Sequence, residues 1–364
     1  MNSPLKISKE LPLSKIISTI REARSIGCSS FLFTGGEAFL KEGFNKILEE
    51  CNGCFVEIYS NGTLIAKPKN ITLIKKYVSR LTVTIDGTSS HNLYRLGSDY
   101  KKIIKNIKIL KNKVSNVKIK INTLVHGKSV GELLQLYSLL KNLKVEEWHI
   151  DFPQLRGRLV ENEGIFSADY DEIARQLKKV LKKYFFDKKP FYLKIYKLFN
   201  SKMNSYNTPG ANLNENPCAY KTDYSMFINA EGKYILCPSI PVQDINFASV
   251  YKDNFNFAIK KKNSLKFQKI KFRDLSDCLG CRYFKLCLGG CRGEAKILVN
   301  SFFKPDINAC SLMNSAERII YPSLPKNVSR IYMSKIKKAA PGPKKILKNL
   351  DEIKSPLQKK YISS

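Results

Sequence analysis

The sequence predicts an α/β fold in which a parallel β/α barrel precedes a small cysteine-rich domain. Strand-like and helix-period segments alternate through residues 13–162, and the strand-like segments end in Gly, Asn or Asp. A repeated β–α unit implies a parallel sheet covered by helices. The cysteines crowd into the second half, where seven of them fall between Cys218 and Cys310.

The elements of the predicted barrel follow one another in chain order. Leu13, Ile16, Ile20 and Ala23 recur at helical spacing and open the first helix. Short apolar runs then predict buried strands at 30–34, 55–59, 81–85, 117–122 and 147–151. Helices are predicted near 39–50, between the second and third strands, near 100–110, at 130–143 and near 167–184. A β-hairpin over 224–237 opens the cysteine-rich half.

The strand ends of such a barrel form one face, and that face carries the active site in β/α barrels. We therefore expect five short segments, each following a strand, to converge in space: 34–37, 60–62, 84–87, 122–123 and 153–158.

The composition places the chain among cytoplasmic proteins. Its 364 residues contain no run of about 18 uncharged apolar residues, and the N-terminus lacks the apolar core of a signal peptide. Ten cysteines in such a protein favour metal or redox chemistry over disulfides. The net charge of +32 either attracts polyanions such as nucleic acid, acidic peptides or anionic lipids, or reflects a lysine-rich proteome.

The cysteine spacing points to iron–sulfur clusters. Cys278-x2-Cys281-x5-Cys287-x3-Cys291 is dense and interleaved with glycines, which let the backbone approach cluster sulfides. Structural zinc is the alternative, but zinc ribbons usually show two separated Cys-x2-Cys pairs and need only four ligands. Upstream, Cys218-x13-Gly232-x4-Cys237 brackets the predicted hairpin.

With these motifs in view, the chain resembles radical S-adenosylmethionine (SAM) enzymes that carry a C-terminal SPASM domain. The full cysteine pattern resembles the SPASM domain, and Thr34-Gly35-Gly36-Glu37 resembles the family's GGE motif, whose glutamate holds the SAM amino group. The resemblance covers roughly residues 10–315 and implies SAM contacts at these positions: Gly35, Gly36, Glu37, Ser60, Asn61, Thr84, Asp86, Arg95, Asn122 and Arg158. Alternatively, Glu37 is a first-turn helix acid, and His91 and Arg95 form an exposed pair.

The same resemblance implies two auxiliary [4Fe–4S] clusters. Cys278, Cys281, Cys287 and Cys310 would hold one, and Cys218, Cys237 and Cys291 the other. Where related proteins have an eighth cysteine, this chain has Asp223 and Tyr224, so the fourth position is open to substrate or capped by Asp223.

The family's core cluster requires Cys-x3-Cys-x2-Cys after the first strand, and the printed sequence contains no such motif. The resemblance therefore implies a partial (β/α)6 TIM-like barrel lacking its first strand. We expect Met1 not to be the true start, or the chain to be a fragment; otherwise it is a degenerate family member. Cys51-x2-Cys54 precedes a strand, on the wrong face for SAM, and predicts a turn. Cys28 lies on that same face and is expected to be a core residue.

The predicted domain organisation is a partial radical SAM barrel (1–200), a linker (201–217), a SPASM iron–sulfur domain (218–312) and a basic tail (313–364). The last forty residues, from 325 onward, hold eleven Lys or Arg and two acidic residues and are either disordered or a short basic helix.

Three functions are compatible with this sequence. The first is a radical SAM enzyme that modifies a peptide or protein through a 5′-deoxyadenosyl radical, with electrons from a ferredoxin or flavodoxin. The second is a non-catalytic iron–sulfur or electron-transfer module. The third is RNA modification or binding, which the charge suggests, although Tyr332 and Tyr361 are too few for a stacking platform.

Overall fold

The structure of the protein, a computed structural model, describes residues 10–95, 97–153, 169–202, 212–218, 225–238, 240 and 246–347. Three residues with predicted roles, Arg158, Asp223 and Tyr224, lie outside these described residues, as does the chain after residue 347.

Seven strands form the main sheet, in the spatial order β1 to β7. They are β1 Ser30–Phe33, β2 Phe55–Ser60, β3 Arg80–Thr84, β4 Lys118–Leu124, β5 Glu147–Asp151, β6 Tyr192–Ile195 and β7 Phe199–Asn200. The first six are mutually parallel, and β7 returns antiparallel to β6. The predicted α/β fold with a partial, TIM-like parallel barrel is confirmed.

Helices connect and cover these strands. In the barrel half they are α1 Leu13–Ser25, α2 Phe44–Glu50, α3 Pro68–Tyr77, α4 His91–Tyr94, α5 Tyr100–Lys113, α6 Leu133–Asn142 and α7 Tyr170–Phe186. Short 3₁₀ turns at Ala38–Leu40 and Val130–Glu132 begin two of the predicted helical regions. Among the described residues, no helix is long and apolar enough to cross a lipid bilayer.

One face of the sheet packs against the helices and forms the main core. Val56, Ile58, Leu81 and Val83 are fully buried there. Burying each such side chain contributes about 1.5–3 kcal/mol. Because side chains alternate along a strand, the intervening residues point to the other, concave face of the sheet. That alternation explains why apolar and charged residues both occur within the same strand.

Strands β6 and β7 were not predicted from the sequence. The last predicted element of the barrel was the helix near 167–184. The buried Leu193 and Ile195 alternate with the more exposed Tyr192 and Lys194. This period-2 pattern was the available signal. Lys197 lies in the tight turn between the two strands with a φ of 61°.

The cysteine-rich half has its own three-stranded antiparallel sheet. Its strands are β8 Phe227–Ile228, β9 Lys233–Ile235 and β10 Asn246–Ser249, in the order β10–β9–β8. The predicted hairpin is therefore present, and β10 extends it. Its helices are α8 Phe255–Ser264, α9 Ser276–Leu279, α10 Phe284–Cys287, α11 Arg292–Val299 and α12 Ile307–Ser315. Residues 212–217, which belong to the predicted linker, hydrogen-bond to this half through Leu213, Glu215 and Asn216.

The segment after α12 packs on the barrel rather than forming a detached tail. A π-helical turn at Ala316–Ile320 and a 3₁₀ turn at Tyr321–Ser323 lead into α13 Lys326–Met333 and α14 Pro343–Leu347. Met313, Ile320, Tyr321 and Tyr332 all belong to the main core. The Tyr332 ring stacks on Tyr321 at 4.7 Å between centroids. The first part of the predicted basic tail, residues 313–336, thus packs against the core of the barrel.

Candidate functional site

Glu37 lies in the loop after β1 and contacts the end of β2. Gly35 and Gly36 precede Glu37. Gly35 has a φ of 143°, which residues with a side chain rarely adopt. The Glu37 carboxylate accepts hydrogen bonds from Ser60 Oγ at 2.9 and 3.1 Å and from Asn61 N at 2.8 Å. The structure thus brings three predicted site residues together from two strand ends.

The Glu37 carboxylate is suited to receive a cationic ligand. Burial raises its pKa, and the hydrogen bonds from Asn61 and Ser60 oppose that rise. An ammonium group at this carboxylate would form a charge-assisted hydrogen bond. Glu37 also caps the 3₁₀ turn Ala38–Leu40 by accepting from Phe39 N at 3.5 Å. The helix-start alternative is therefore compatible with ligand binding rather than opposed to it.

Asp86, just after β3, forms the centre of a second group of predicted residues. Its Oδ2 pairs with Arg95 Nε at 2.7 Å, and its Oδ1 accepts from Leu124 N at 2.9 Å. Asp86 N donates to His91 Nδ1 at 3.1 Å, and His91 Nε2 lies 2.9 Å from Ser98 Oγ. Burial lowers the pKa of His91, which favours the neutral ring. The alternative of an exposed His91–Arg95 pair is wrong, because His91 is buried and Arg95 is bound to Asp86.

Thr84 and Asn122 occupy neighbouring positions on the concave face. They are register partners on β3 and β4, and Asn122 is in turn the partner of His149 on β5. His149 Nε2 lies 3.5 Å from Glu147 Oε2 on that face. Trp148 points the opposite way into the core, and its Nε1 donates to Thr123 Oγ1 at 2.9 Å. Trp148 therefore belongs to the core, whereas His149 faces the interior of the barrel.

The concave face also carries a network of buried charges that the sequence analysis did not single out. Glu57 pairs with Lys120 and accepts from Thr82 Oγ1 at 2.7 Å. Arg80 bridges Glu57 and Glu147 at 3.3 and 3.2 Å. Although burial opposes it, the Lys120 ammonium and the Thr82 hydroxyl lower the pKa of Glu57. Alternating polar residues on adjacent strands were the only signal in the sequence.

Glu132 holds the loop that follows Asp86. Its carboxylate accepts from the backbone N–H groups of Thr88, Ser89 and Ser90, at 2.5, 2.7 and 3.1 Å. These hydrogen bonds, led by those from Ser89 and Ser90, outweigh burial and lower its pKa to about 2. A Cβ on Gly87 would lie 2.7 Å from Glu132 Oε2, so a larger residue there would displace the Glu132 carboxylate. Glu132 therefore positions the segment that carries His91 and Arg95.

Four of the seven predicted cluster ligands line one cavity. Cys278, Cys281, Cys287 and Cys310 line a small cavity that is partly open to solvent, together with apolar and aromatic side chains such as Phe284. Burial raises the pKa of Cys278 and of Cys287 to about 12. The pKa of Cys310 is raised well above its ordinary value by burial and then by the other three thiols. These are the four residues that the resemblance assigns to one cluster.

The backbone between Cys287 and Cys291 is held in an unusual conformation. Leu288, Gly289 and Gly290 have φ values of 53°, 77° and 76°. A Cβ on Gly290 would lie 2.4 Å from the Cβ of Asp306, so this position admits only glycine. Gly290 therefore allows the close approach of Asp306 to the cysteine loop.

The remaining three predicted ligands lie in two surroundings. Cys218 and Cys237 belong to the hydrophobic cluster around β8 to β10, which also includes Cys278. Cys291 begins α11, and its backbone N–H donates to Asp306 Oδ2 at 2.7 Å. The other cysteine motif, Cys51 and Cys54, lies in the turn between α2 and β2, as predicted.

The four-cysteine cavity fits an iron–sulfur cluster better than a single metal ion. In the part of the chain that the structure describes, no three Cys, His, Asp or Glu side chains are close enough to hold one ion. A zinc ion would require sulfurs about 3.8 Å apart, whereas cubane ligands bind separate irons and are spaced more widely. Burial raises the thiol pKa values, and the iron ions of a bound cluster would supply the positive charge that favours the thiolate form.

Lys197 and Asp306 connect the two halves at the cysteine loop, and sequence reasoning missed both. The Lys197 ammonium pairs with Asp306 Oδ2, and the two side chains are 10% and 0% exposed. Asp306 Oδ1 caps α12 by accepting from Ala309 N at 3.1 Å. The ammonium also lies 4.8 Å from the centre of the Tyr196 ring. No local pattern indicates this pair, because its members are 109 residues apart in sequence.

Comparison with known proteins agrees with this fold. The Radical SAM superfamily model matches residues 3–140 of the chain. Among curated relatives, an AdoMet-dependent heme synthase of Methanosarcina barkeri is 25% identical over 313 residues, which cover 82% of this chain and 86% of that protein.

Solved structures share the fold well beyond the barrel. SuiB of Streptococcus suis bound to its precursor peptide SuiA covers 85% of this chain and 71% of its own, with a TM-score of 0.64 and 16% identity. The enzyme anSMEcpe with bound AdoMet covers 91% and 92%, with a TM-score of 0.65 and 16% identity. At such identities these likenesses show the fold alone.

Proposed function

We propose that the protein binds SAM at the carboxyl ends of its barrel strands and modifies a peptide or protein by radical chemistry, assisted by two auxiliary [4Fe–4S] clusters. The meeting of Glu37 with Ser60 and Asn61 carries this proposal, because it assembles a half-buried carboxylate at the strand ends of a radical SAM domain.

Several of the predicted SAM contacts have roles that their surroundings support. Glu37 would accept the SAM amino group. Asp86 and Arg95 are already paired with each other, so Arg95 would offer its remaining guanidinium N–H groups to the SAM carboxylate. Thr84 and Asn122 present polar groups on the concave face beside this pair. A contact from Arg158 remains part of the proposal.

The cysteine-rich half would hold the auxiliary clusters. Cys278, Cys281, Cys287 and Cys310 would hold one, and Cys218, Cys237 and Cys291 the other. We infer from this arrangement that the half is a SPASM domain. When bound, such clusters exchange single electrons with substrate or with a donor such as a ferredoxin or flavodoxin. The protein supplies thiolates, burial and a position next to the barrel.

Binding of SAM is tested by equilibrium dialysis with labelled SAM. Glu37→Gln removes a charge-assisted hydrogen bond, which should cost about 1.5–3 kcal/mol, or about 10- to 150-fold in Kd. Glu42→Gln is the matched control, because Glu42 is an exposed carboxylate five residues away. Equal affinities for the two variants would contradict the assignment of Glu37.

Cluster binding is tested by anaerobic reconstitution with iron and sulfide. The wild-type protein should retain about eight irons per chain, for two four-iron clusters. The double variant Cys278→Ser/Cys281→Ser should lose about half of this iron. Cys51→Ser/Cys54→Ser has the same Cys-x2-Cys spacing and should lose none. Equal loss in both variants, or no iron in the wild type, would refute the cluster assignment.

The substrate class has two candidates. A peptide is favoured because SuiB, whose structure contains a precursor peptide, shares this fold over 85% of the chain. A tetrapyrrole is the second candidate, because the AdoMet-dependent heme synthase is similar over 82% of the chain. The net charge of +32 suits acidic peptides and porphyrin carboxylates alike.

These candidates are separated by measuring 5′-deoxyadenosine under anaerobic reduction. The protein should be produced from its natural locus with flanking codons, since the printed sequence has no Cys-x3-Cys-x2-Cys. Stimulation by acidic peptides and not by a propionate-bearing porphyrin supports the peptide, and the reverse supports the tetrapyrrole. RNA binding would instead appear as an affinity that falls steeply with salt.

A further inference from the structure

The turn between β6 and β7 inserts a positive charge beside the cysteine loop. Because β6 is parallel to the other barrel strands, its carboxyl end faces the same side of the sheet as the Glu37 loop. Lys197 lies in this turn and reaches across to Asp306 in the cysteine-rich half. The charge therefore lies between the barrel mouth and the cysteines.

Lys197 is close to cysteines from both predicted ligand sets. Burial alone would lower its pKa, but Asp306, and then Tyr196, Cys287 and Cys291, raise it above the ordinary value. The same Asp306 oxygen, Oδ2, accepts from Cys291 N, so the ammonium lies beside Cys291 and the loop that links it to Cys287. One buried ammonium thus acts on two thiols that belong to different predicted clusters.

Asp306 binds both the ammonium and the backbone that carries the thiols. It accepts from Cys291 N at 2.7 Å and from Ala309 N at 3.1 Å, at the start of the helix that bears Cys310. It also packs against Gly290 in the left-handed stretch. The positions of both charges relative to the cysteines are therefore fixed by the fold.

We infer that the Lys197–Asp306 pair sets the reduction potential of the clusters bound by Cys287 and Cys291. This inference rests on the proposed function, because it requires that clusters bind there. Reduction adds one negative charge to a cluster, so a nearby cation favours the reduced form and a nearby anion opposes it. Both charges are largely shielded from water, so solvent screens them only weakly. Lys197 and Asp306 are positioning residues that act through the cluster environment.

The test is an EPR-monitored redox titration of the reconstituted full chain. Lys197→Met should lower the midpoint potential, because it leaves the Asp306 charge uncompensated. At a fixed applied potential, we expect the ratio of reduced to oxidised cluster to fall at least tenfold. This corresponds to a shift of about 59 mV in the midpoint potential of a one-electron couple. Asp306→Asn should shift the potential in the opposite direction, and Lys197→Arg should leave it near the wild-type value.

Lys304→Met is the matched control. Lys304 pairs with Asp277, which lines the four-cysteine cavity, but its side chain is 45% exposed. The same loss of charge there should shift the potential little, because water screens it. Opposite shifts for Lys197→Met and Asp306→Asn distinguish an electrostatic role from mere loss of packing, which has no charge-dependent sign.

Two outcomes separate the inference from the proposed function. If the wild-type protein binds no iron, the proposed function fails. If it binds iron and Lys197→Met retains the wild-type iron content and potential, the inference is overturned while the proposed function stands. If Lys197→Met does not retain clusters, Lys197→Arg against Asp306→Asn still decides, because only the latter should raise the potential.

Discussion

Replacing Lys120 with methionine should destabilise the barrel by about 3 kcal/mol, because it breaks a buried ion pair. The Lys120 and Glu57 side chains are only 5% and 8% exposed. Removing one partner of such a pair costs about 3–5 kcal/mol. Glu57 would still accept from Thr82 Oγ1 at 2.7 Å and pair with Arg80 at 3.3 Å, which places the cost at the lower end of that range.

Substitution of the partner residue, Glu57, should reduce the stability further. Glu57→Gln removes the negative charge that compensates the Lys120 ammonium, whose neighbouring Tyr59 hydroxyl, 3.2 Å away, and Tyr59 ring, whose centre is 5.0 Å away, carry no full charge. We expect a loss of about 4–5 kcal/mol. The double variant Glu57→Gln/Lys120→Met removes both charges and should recover to within about 2 kcal/mol of the wild type.

Urea unfolding of the apoprotein measures these effects. Trp148, the one tryptophan of the chain, is buried in the barrel, so its fluorescence reports unfolding of this half. Agreement with far-UV circular dichroism tests whether unfolding is two-state. Lys183→Met is the control, because Lys183 is 43% exposed and its partner Asp187 keeps other contacts; its cost should be below about 0.5 kcal/mol. Equal costs for Lys120→Met and Lys183→Met, or additive losses in the double variant, would refute the reasoning.

Three further variants test the site and the loops that support it. Burial lowers the pKa of His126 from 6.5 to about 4. As the pH falls, His126 therefore becomes protonated in the unfolded chain before it does so in the folded protein. Stability should therefore fall by about 3 kcal/mol as the pH drops through this window, and His126→Phe should abolish the slope in urea titrations. The depressed pKa of Glu132 contributes stability above pH 4.5 that disappears toward pH 2. Glu132→Gln should flatten that acid transition by about 1–2 kcal/mol after allowance for solvent screening, and an unchanged transition would contradict the role of Glu132. Gly290→Ala should abolish iron retention on reconstitution, whereas Gly27→Ala, at a positive φ with open space around it, should retain iron.

Local patterns in the sequence were sufficient for most of the barrel. The strands at 30–33, 55–60, 80–84, 118–124 and 147–151 follow from short apolar runs, and the structure shifts their ends by at most two residues. The turn glycine Gly35 and the strand-end Asn61 likewise marked the segment that meets Glu37. These signals are readable because backbone hydrogen bonding and side-chain alternation act between near neighbours in the chain.

The cysteine spacing also determined which thiols share a cavity. Cys278, Cys281 and Cys287 follow one another within ten residues, so a single loop brings them together. The addition of Cys310 came from the resemblance, and the structure places it in the same cavity through α12. The short strand β6 escaped detection because four residues after a long amphipathic helix give little periodicity.

The tertiary structure alone decided how charges are compensated inside the molecule. Lys120 meets Glu57 across 63 residues, and Lys197 meets Asp306 across 109. The sequence shows only that these residues are charged, and charged residues are mostly exposed. Their burial becomes possible when distant segments are brought together, because only then does each charge find the partner that offsets its desolvation. The family features therefore follow from local spacing, whereas the electrostatic environment of the barrel and of the cysteine loop depends on the fold.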